Sequence, residues 1–263
     1  MTRAEAIRRA AEHIAGARVA GERLDRLPAE IRPADEREGY AVQEEVHRRL
    51  AAAGRGPLAG RKIGCTSAVM QRFLGIDHPC AGGVPASLVH TGAARIPVPR
   101  TARVGVECEI GVRLARDLPW EEDDPPDPAA AVGSCMAAIE IVEDRYADYA
   151  TLDTPTLIAD DFFAAGCVLG PERPGLPPGG LADVGATMLV NGEPVGRGTG
   201  RDVLGDPLNA LAWLARSASE RGAPLRAGEL VLLGSLVATH WLEPGDAVSV
   251  RNDALGEVVL DLG

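Results

Sequence analysis

The chain has 263 residues, 46% of them hydrophobic and 25% charged, which is enough to bury a sizeable core and excludes wholesale disorder. A net charge of −11 argues against a surface built for nucleic acid or anionic lipid and favours small molecules or other protein chains as partners. The five cysteines, at 65, 80, 108, 135 and 167, are odd in number and contain no CxxC pair, so neither a disulfide framework nor a zinc site is suggested and a reducing cytoplasm fits.

Residues 2–20 and 34–53 carry apolar positions at helical spacing, separated by Leu27-Pro28 and Ile31-Arg32-Pro33. Four arginines in the first twenty residues resemble a transit peptide superficially, but Glu5 and Glu12 do not suit one, and a surface helix is the better reading. No apolar run approaches the ~18 residues needed to span a bilayer. These features set residues 1–56 apart as an N-terminal helical segment, and 57–263 as the catalytic body, where short apolar runs alternate with Gly and Pro.

Acidic "EEDDPPDP" (121–128) reads as a surface loop, after which Asp127 and Pro128 start a short helix expected to run to about Ala137. A second loop covers 171–180. "DVGATMLVNGEPVGRG" reads as a hairpin turning at Asn191-Gly192, and "DPLNALAWLARSASERG" as an amphipathic helix. "ELVLLGSLVAT" and "DAVSVRNDALGEVVLDL" close the chain as strands. Without regular β-α alternation, the fold expected is α+β, a mixed or antiparallel β core with peripheral helices.

In Val104–Leu114 one strand face is wholly apolar, while the other carries Gly105, Glu107, Glu109, Gly111 and Arg113. A half-buried strand with a solvated charged face is the plainer reading. Against it, like charges at i and i+2 repel unless something positive lies between them, and the flanking glycines leave room for a hard cation with oxygen ligands. Glu140 lies in a second apolar run, "AAIEIVEDR" (137–145), and a third acid there strengthens the metal reading. Lys62, in "GRKIGCTS" (60–67), is a surface lysine or, beside a metal, a group that neutralises a substrate carboxylate or transfers a proton. The histidines at 13, 47, 78, 90 and 240 form no ligand spacing; position 201 breaks a GxGxxG pattern, and "GSL" (234–236) lacks the nucleophile-elbow spacing.

In order along the chain, "GRKIGCTS", "VECEIG", "AAIEIVEDR", "NGEPVGRG" and "LLGSL", with an N-terminal "YAVQ" helix, resemble the 2-keto-4-pentenoate hydratase branch of the fumarylacetoacetate hydrolase superfamily. The resemblance implies a mixed β roll or barrel with peripheral helices, and Mg²⁺ or Mn²⁺ held by Glu107, Glu109 and Glu140, with Lys62 as active-site lysine. It implies hydration of a 2-hydroxy-2,4-dienoate to a 4-hydroxy-2-oxo acid in aromatic catabolism, the metal acting as a Lewis acid on the 1-carboxylate and 2-oxygen. It also leaves open a 2-oxo-3-hexenedioate decarboxylase, a C–C hydrolase, or a non-catalytic partner subunit. A homo-oligomer is expected, as is association with another catabolic enzyme.

Two departures from the family pattern stand out. "DHPCAGG" (77–83) places Cys80 where an acid is expected, leaving Cys80 itself or Asp77 for proton transfer. "ADDFFAAG" (159–166) brings Phe162 and Phe163 where small polar groups are usual, so a more apolar or reshaped pocket is expected. By the same matching, that pocket draws on Thr66, Ser67, Asp161, Phe163 and Ser235.

Overall fold

The computed structural model describes residues 1–263. Helix α1 (Arg3–Ala20) starts at Thr2, whose hydroxyl accepts from the Glu5 N–H, and stops at Gly21 in the left-handed region. Helix α2 (Glu36–Leu50) is capped by Asp35. Their apolar stripes, Ala10, Ala11, Ile14 and Val42, Val46, Leu50, pack together with Leu27, Ile31 and Ala159. Gln43 ties this layer to the body by donating to the carbonyls of Ala81 and Ile158.

The body begins with β1 (Leu58–Gly64), the short helix α3 (Ala68–Leu74), β2 (Cys80–Pro85), β3 (Val89–Thr91) and β4 (Ala93–Ile96). Two long antiparallel strands follow, β5 (Arg103–Leu114) and β6 (Val132–Asp144). Then come α4 (Thr154–Ala159), β7 (Ala164–Leu169), β8 (Arg173–Pro174), β9 (Gly185–Val190), β10 (Glu193–Thr199), α5 (Pro207–Glu220), β11 (Leu230–Ser235), β12 (His240–Trp241), β13 (Ala247–Asn252) and β14 (Gly256–Leu262). No helix is long and apolar enough to cross a membrane.

A nine-stranded sheet runs β2-β1-β11-β5-β6-β7-β3, with β12 and β8 added on β5 and β6; a five-stranded sheet runs β10-β9-β13-β14-β4. Both sheets are mixed, since β1 and β11, β3 and β7, and β4 and β14 pair parallel. The fold is therefore α+β with two open mixed sheets, and the larger ends on β2 and β3 without closing into a barrel. The β9–β10 hairpin turns at Asn191-Gly192, both at positive φ as a tight two-residue turn requires.

The helix expected from Asp127 to Ala137 is only a single 3₁₀ turn, Ala129–Ala131, and Val132 onward is strand. The alanines of this run favour helix locally, but pairing with β5 on one side and with β8 and then β7 on the other buries Ser134 to Val142 throughout and overrides that preference. Strand β5 is likewise buried on both faces, so the solvated charged face open to it from sequence is not what forms.

Candidate active site

Strand β5 places Glu107 and Glu109 two residues apart on one face, and the register of β6 sets Glu140 directly opposite Glu107. One oxygen from each carboxylate lies within 4.8 Å of the other two. Glu109 and Glu140 are both 0% exposed, and Glu107 is half-buried. From β1, two strands away from β5, Lys62 reaches in at 3% exposure, with Nζ 3.0 Å from Glu140 Oε1 and donating to the Phe162 carbonyl at 3.2 Å. The Gly234 N–H donates to Glu109 Oε2 at 3.0 Å, and the Thr239 hydroxyl donates to Glu107.

The electrostatics follow from three carboxylates facing one ammonium. Burial pushes Glu140 up to about 7 even though Lys62 pulls the other way. Burial, then Glu140 and Glu107, push Glu109 well above the ordinary carboxylate range. Burial works against the charge on Lys62, but Glu140 and Glu107 outweigh it and hold the ammonium above its ordinary value. Glu109 Oε1 and Glu140 Oε2 are buried without a hydrogen-bond donor, and Glu140 Oε1 has only the Lys62 ammonium. Orphaned buried carboxylate oxygens converging on one point are what a hard divalent cation satisfies, so the residues fit such an ion.

A cavity of about 1120 Å³ opens from Lys62 and Glu107 towards α3 and α4. Thr66, Ser67, Phe163 and Ser235 line it, together with Phe162, Tyr149, Leu236 and Trp241. Asp161 does not. It is 0% exposed and accepts hydrogen bonds from Arg18 (2.7 Å), His47 (2.7 Å) and the Gly83 N–H (2.8 Å), on the side away from the cavity. Asp161, Phe162 and Phe163 have φ of 55°, 48° and 67°, three successive left-handed residues that send the phenylalanines one way and the carboxylate the other.

Of the residues expected to transfer protons, Lys62 lines the cavity, and Asp77 and Cys80 do not. Asp77 is solvent-exposed after α3. Cys80 is fully buried in β2 beside Cys65, and that neighbour and burial push its thiol far up, which makes it a very poor proton donor. Sequence reasoning missed the Gly234 amide, the Phe162 carbonyl and the Thr239 hydroxyl. The first two act through the backbone and leave no side-chain signal. Arg18 and His47, on the N-terminal helices, gave only a surface or core reading.

A protein-family model for the C-terminal part of fumarylacetoacetate hydrolase matches residues 77–262. A 2-keto-4-pentenoate hydratase of Paraburkholderia xenovorans is 39% identical over 222 residues, 84% of this chain and 81% of its own. The chain belongs to the fumarylacetoacetate hydrolase family. A TodF product hydratase of Pseudomonas putida is 36% identical over 97% of this chain and 95% of its own. Among solved structures, 4-oxalocrotonate decarboxylase from Pseudomonas putida G7, complexed with magnesium and adipate, superposes with a TM-score of 0.90 at 27% identity, covering 100% of this chain and 99% of that one. The same enzyme is also known complexed with calcium and acetate.

Proposed function

We propose that the protein is a metal-dependent hydratase of the 2-keto-4-pentenoate hydratase kind, adding water to a 2-hydroxy-2,4-dienoate to give a 4-hydroxy-2-oxo acid. The observation that carries the reading is the buried convergence of Glu107, Glu109 and Glu140 beside Lys62, in a chain up to 39% identical to hydratases. Mg²⁺ is the ion proposed, because the donors are all hard oxygens. Glu107, Glu109 and Glu140 would hold it, and when bound it supplies a positive centre for the 1-carboxylate and 2-oxygen of the substrate.

The chain's own groups do the rest. Lys62 is held as an ammonium by Glu140, so it meets the substrate as a positive charge and a proton donor, not as a free amine. The Phe162 carbonyl accepts its N–H and fixes its direction. Gly234 and Thr239 orient two of the carboxylates, which keeps the acidic cluster aligned for each turnover. Hydration moves the 2-hydroxyl proton to C5, which leaves a 2-oxo-3-enoate, then adds the hydroxyl of one water at C4 and that water's remaining proton at C3. The apolar cavity wall limits how many waters compete for the bound acid.

Purified protein mixed with freshly generated 2-hydroxypenta-2,4-dienoate tests this directly. Loss of dienol absorbance with Mg²⁺ but not with EDTA, and a product one water heavier, is the expected result. The full-length likeness to 4-oxalocrotonate decarboxylase gives the second reading, and release of CO₂ from 2-oxo-3-hexenedioate, with no hydrated product, would favour it.

A further inference from the structure

Helix α3 forms a wall of the cavity and has no buried residue. Val69, Met70 and Phe73 are 66%, 44% and 63% exposed, and all three line the cavity that begins at Lys62 and Glu107. A soluble chain rarely leaves three large apolar side chains of one short helix uncovered unless something apolar sits against them. The rest of the lining adds further apolar side chains, among them Tyr149, Leu152 and Val237. The volume, about 1120 Å³, is of a size that takes drug-like ligands and far exceeds a five-carbon dienoate.

Charge narrows the occupant further. Lys62 is the only basic side chain lining the cavity, and Glu140 already engages it. The other charged residues lining it are acids: Asp35, Glu36, Glu107, Asp144, Asp153 and Asp202. Asp35 and Asp153 are fixed as helix caps, and Glu36 has His78 at 3.4 Å. A carboxylate at the far end of a substrate would meet no free cation and several negative charges.

We propose that this site selects a monocarboxylate 2-hydroxy-dienoate extended at its distal end by a bulky apolar group, alkyl or aryl, which seats against Val69, Met70 and Phe73, and that it discriminates against dicarboxylates. The inference rests on the reading of the acidic cluster as the place where the 2-oxo acid end binds. It separates this chain from the decarboxylase crystallised with adipate, a dicarboxylate.

The test measures binding, so it does not depend on which reaction follows. With Mg²⁺ present, calorimetry compares three saturated acids that cannot be hydrated: 2-oxopentanoate, 2-oxo-6-phenylhexanoate and 2-oxoadipate. The phenyl acid is expected to bind about tenfold or more tightly than 2-oxopentanoate, the scale of a filled apolar pocket, and 2-oxoadipate no more tightly than 2-oxopentanoate. Phe73→Ala should narrow the first ratio, and Phe73→Lys should weaken the phenyl acid while strengthening 2-oxoadipate. Equal binding of all three, or preference for 2-oxoadipate, overturns the proposal. So does a Phe73→Lys protein of lower native mass with unchanged discrimination, because α3 would then be covered by a second copy of the chain.

Discussion

Glu107 and Glu140 stand directly opposite one another on neighbouring antiparallel strands, in the middle of the larger sheet. Like charges so placed destabilise a sheet. With Glu109 two residues along the same face, the fold gathers negative charge where it is least solvated.

A bound cation should therefore stabilise the whole protein. At a hundredfold excess over Kd, a ligand adds about 2.7 kcal/mol. For a chain of this size that raises Tm by roughly 5–10 °C. Thermal melts with Mg²⁺ and with EDTA should differ accordingly in the wild type, and should coincide in Glu109→Ala.

Gly234 has φ of 115°, and a Cβ there would lie 2.6 Å from the Thr66 side chain. Its amide also supports Glu109. Gly234→Ala is expected to displace that support and lower metal affinity by about 10- to 100-fold, as loss of a ligand-orienting contact does. Calorimetric titration with Mn²⁺ measures it.

Lys62→Met removes the ammonium that Glu140 faces. Turnover should fall roughly 100-fold or more, the usual cost of a lost proton-transfer group. The metal-free protein should also lose about 3–5 kcal/mol, because Glu140 is left as an unpaired buried acid. Urea unfolding with and without Mg²⁺ separates the two effects.

Burial raises the Asp161 carboxyl, but His47 and Arg18 outweigh it and hold it well below the usual carboxylate range. A depressed folded value means stabilisation that is present above the unfolded value of about 3.9 and is lost as pH falls below it. Asp161→Asn should cost about 3–5 kcal/mol at neutral pH, since Arg18 loses its partner. The variant's urea midpoint should then fall less steeply than the wild type's as the solution is acidified below about pH 4.

Asp77→Asn and Cys80→Ser should both turn over within about twofold of wild type, the usual result for positions that do not touch the reacting atoms. Asp77 is exposed outside the cavity and Cys80 is sealed behind its wall. Steady-state kinetics on the same dienoate substrate checks it.

Much of this was legible in the residues. Two carboxylates alternating with apolar side chains in β5, and a third in an apolar run, were informative because buried charge is costly and rarely idle. The Asn191-Gly192 turn and α5 followed from turn chemistry and helical period. What escaped was of two kinds. The alanines at 129–131 suggest a helix running on to Ala137, but Val132–Ala137 is strand, paired with partners distant in sequence. Asp161 and Phe163 are two residues apart, yet the run of positive φ turns one into the cavity and the other out of it, which no periodicity encodes. Cys80 aligned with an expected acid, but alignment says nothing about which side of β2 faces the cavity.

The left-handed turn at Asp161–Phe163 has two masters. Its carboxylate is gripped by Arg18 and His47 of α1 and α2, and its carbonyl at Phe162 accepts from Lys62. The salt links of the outer helices and the backbone atom that aims the lysine therefore sit on adjacent residues. A change at the helical surface that loosened Arg18 would be felt at the ammonium without any atom of the acidic cluster being altered. The first fifty residues, which lie outside the matched family segment, thus hold the turn that carries the lysine's acceptor.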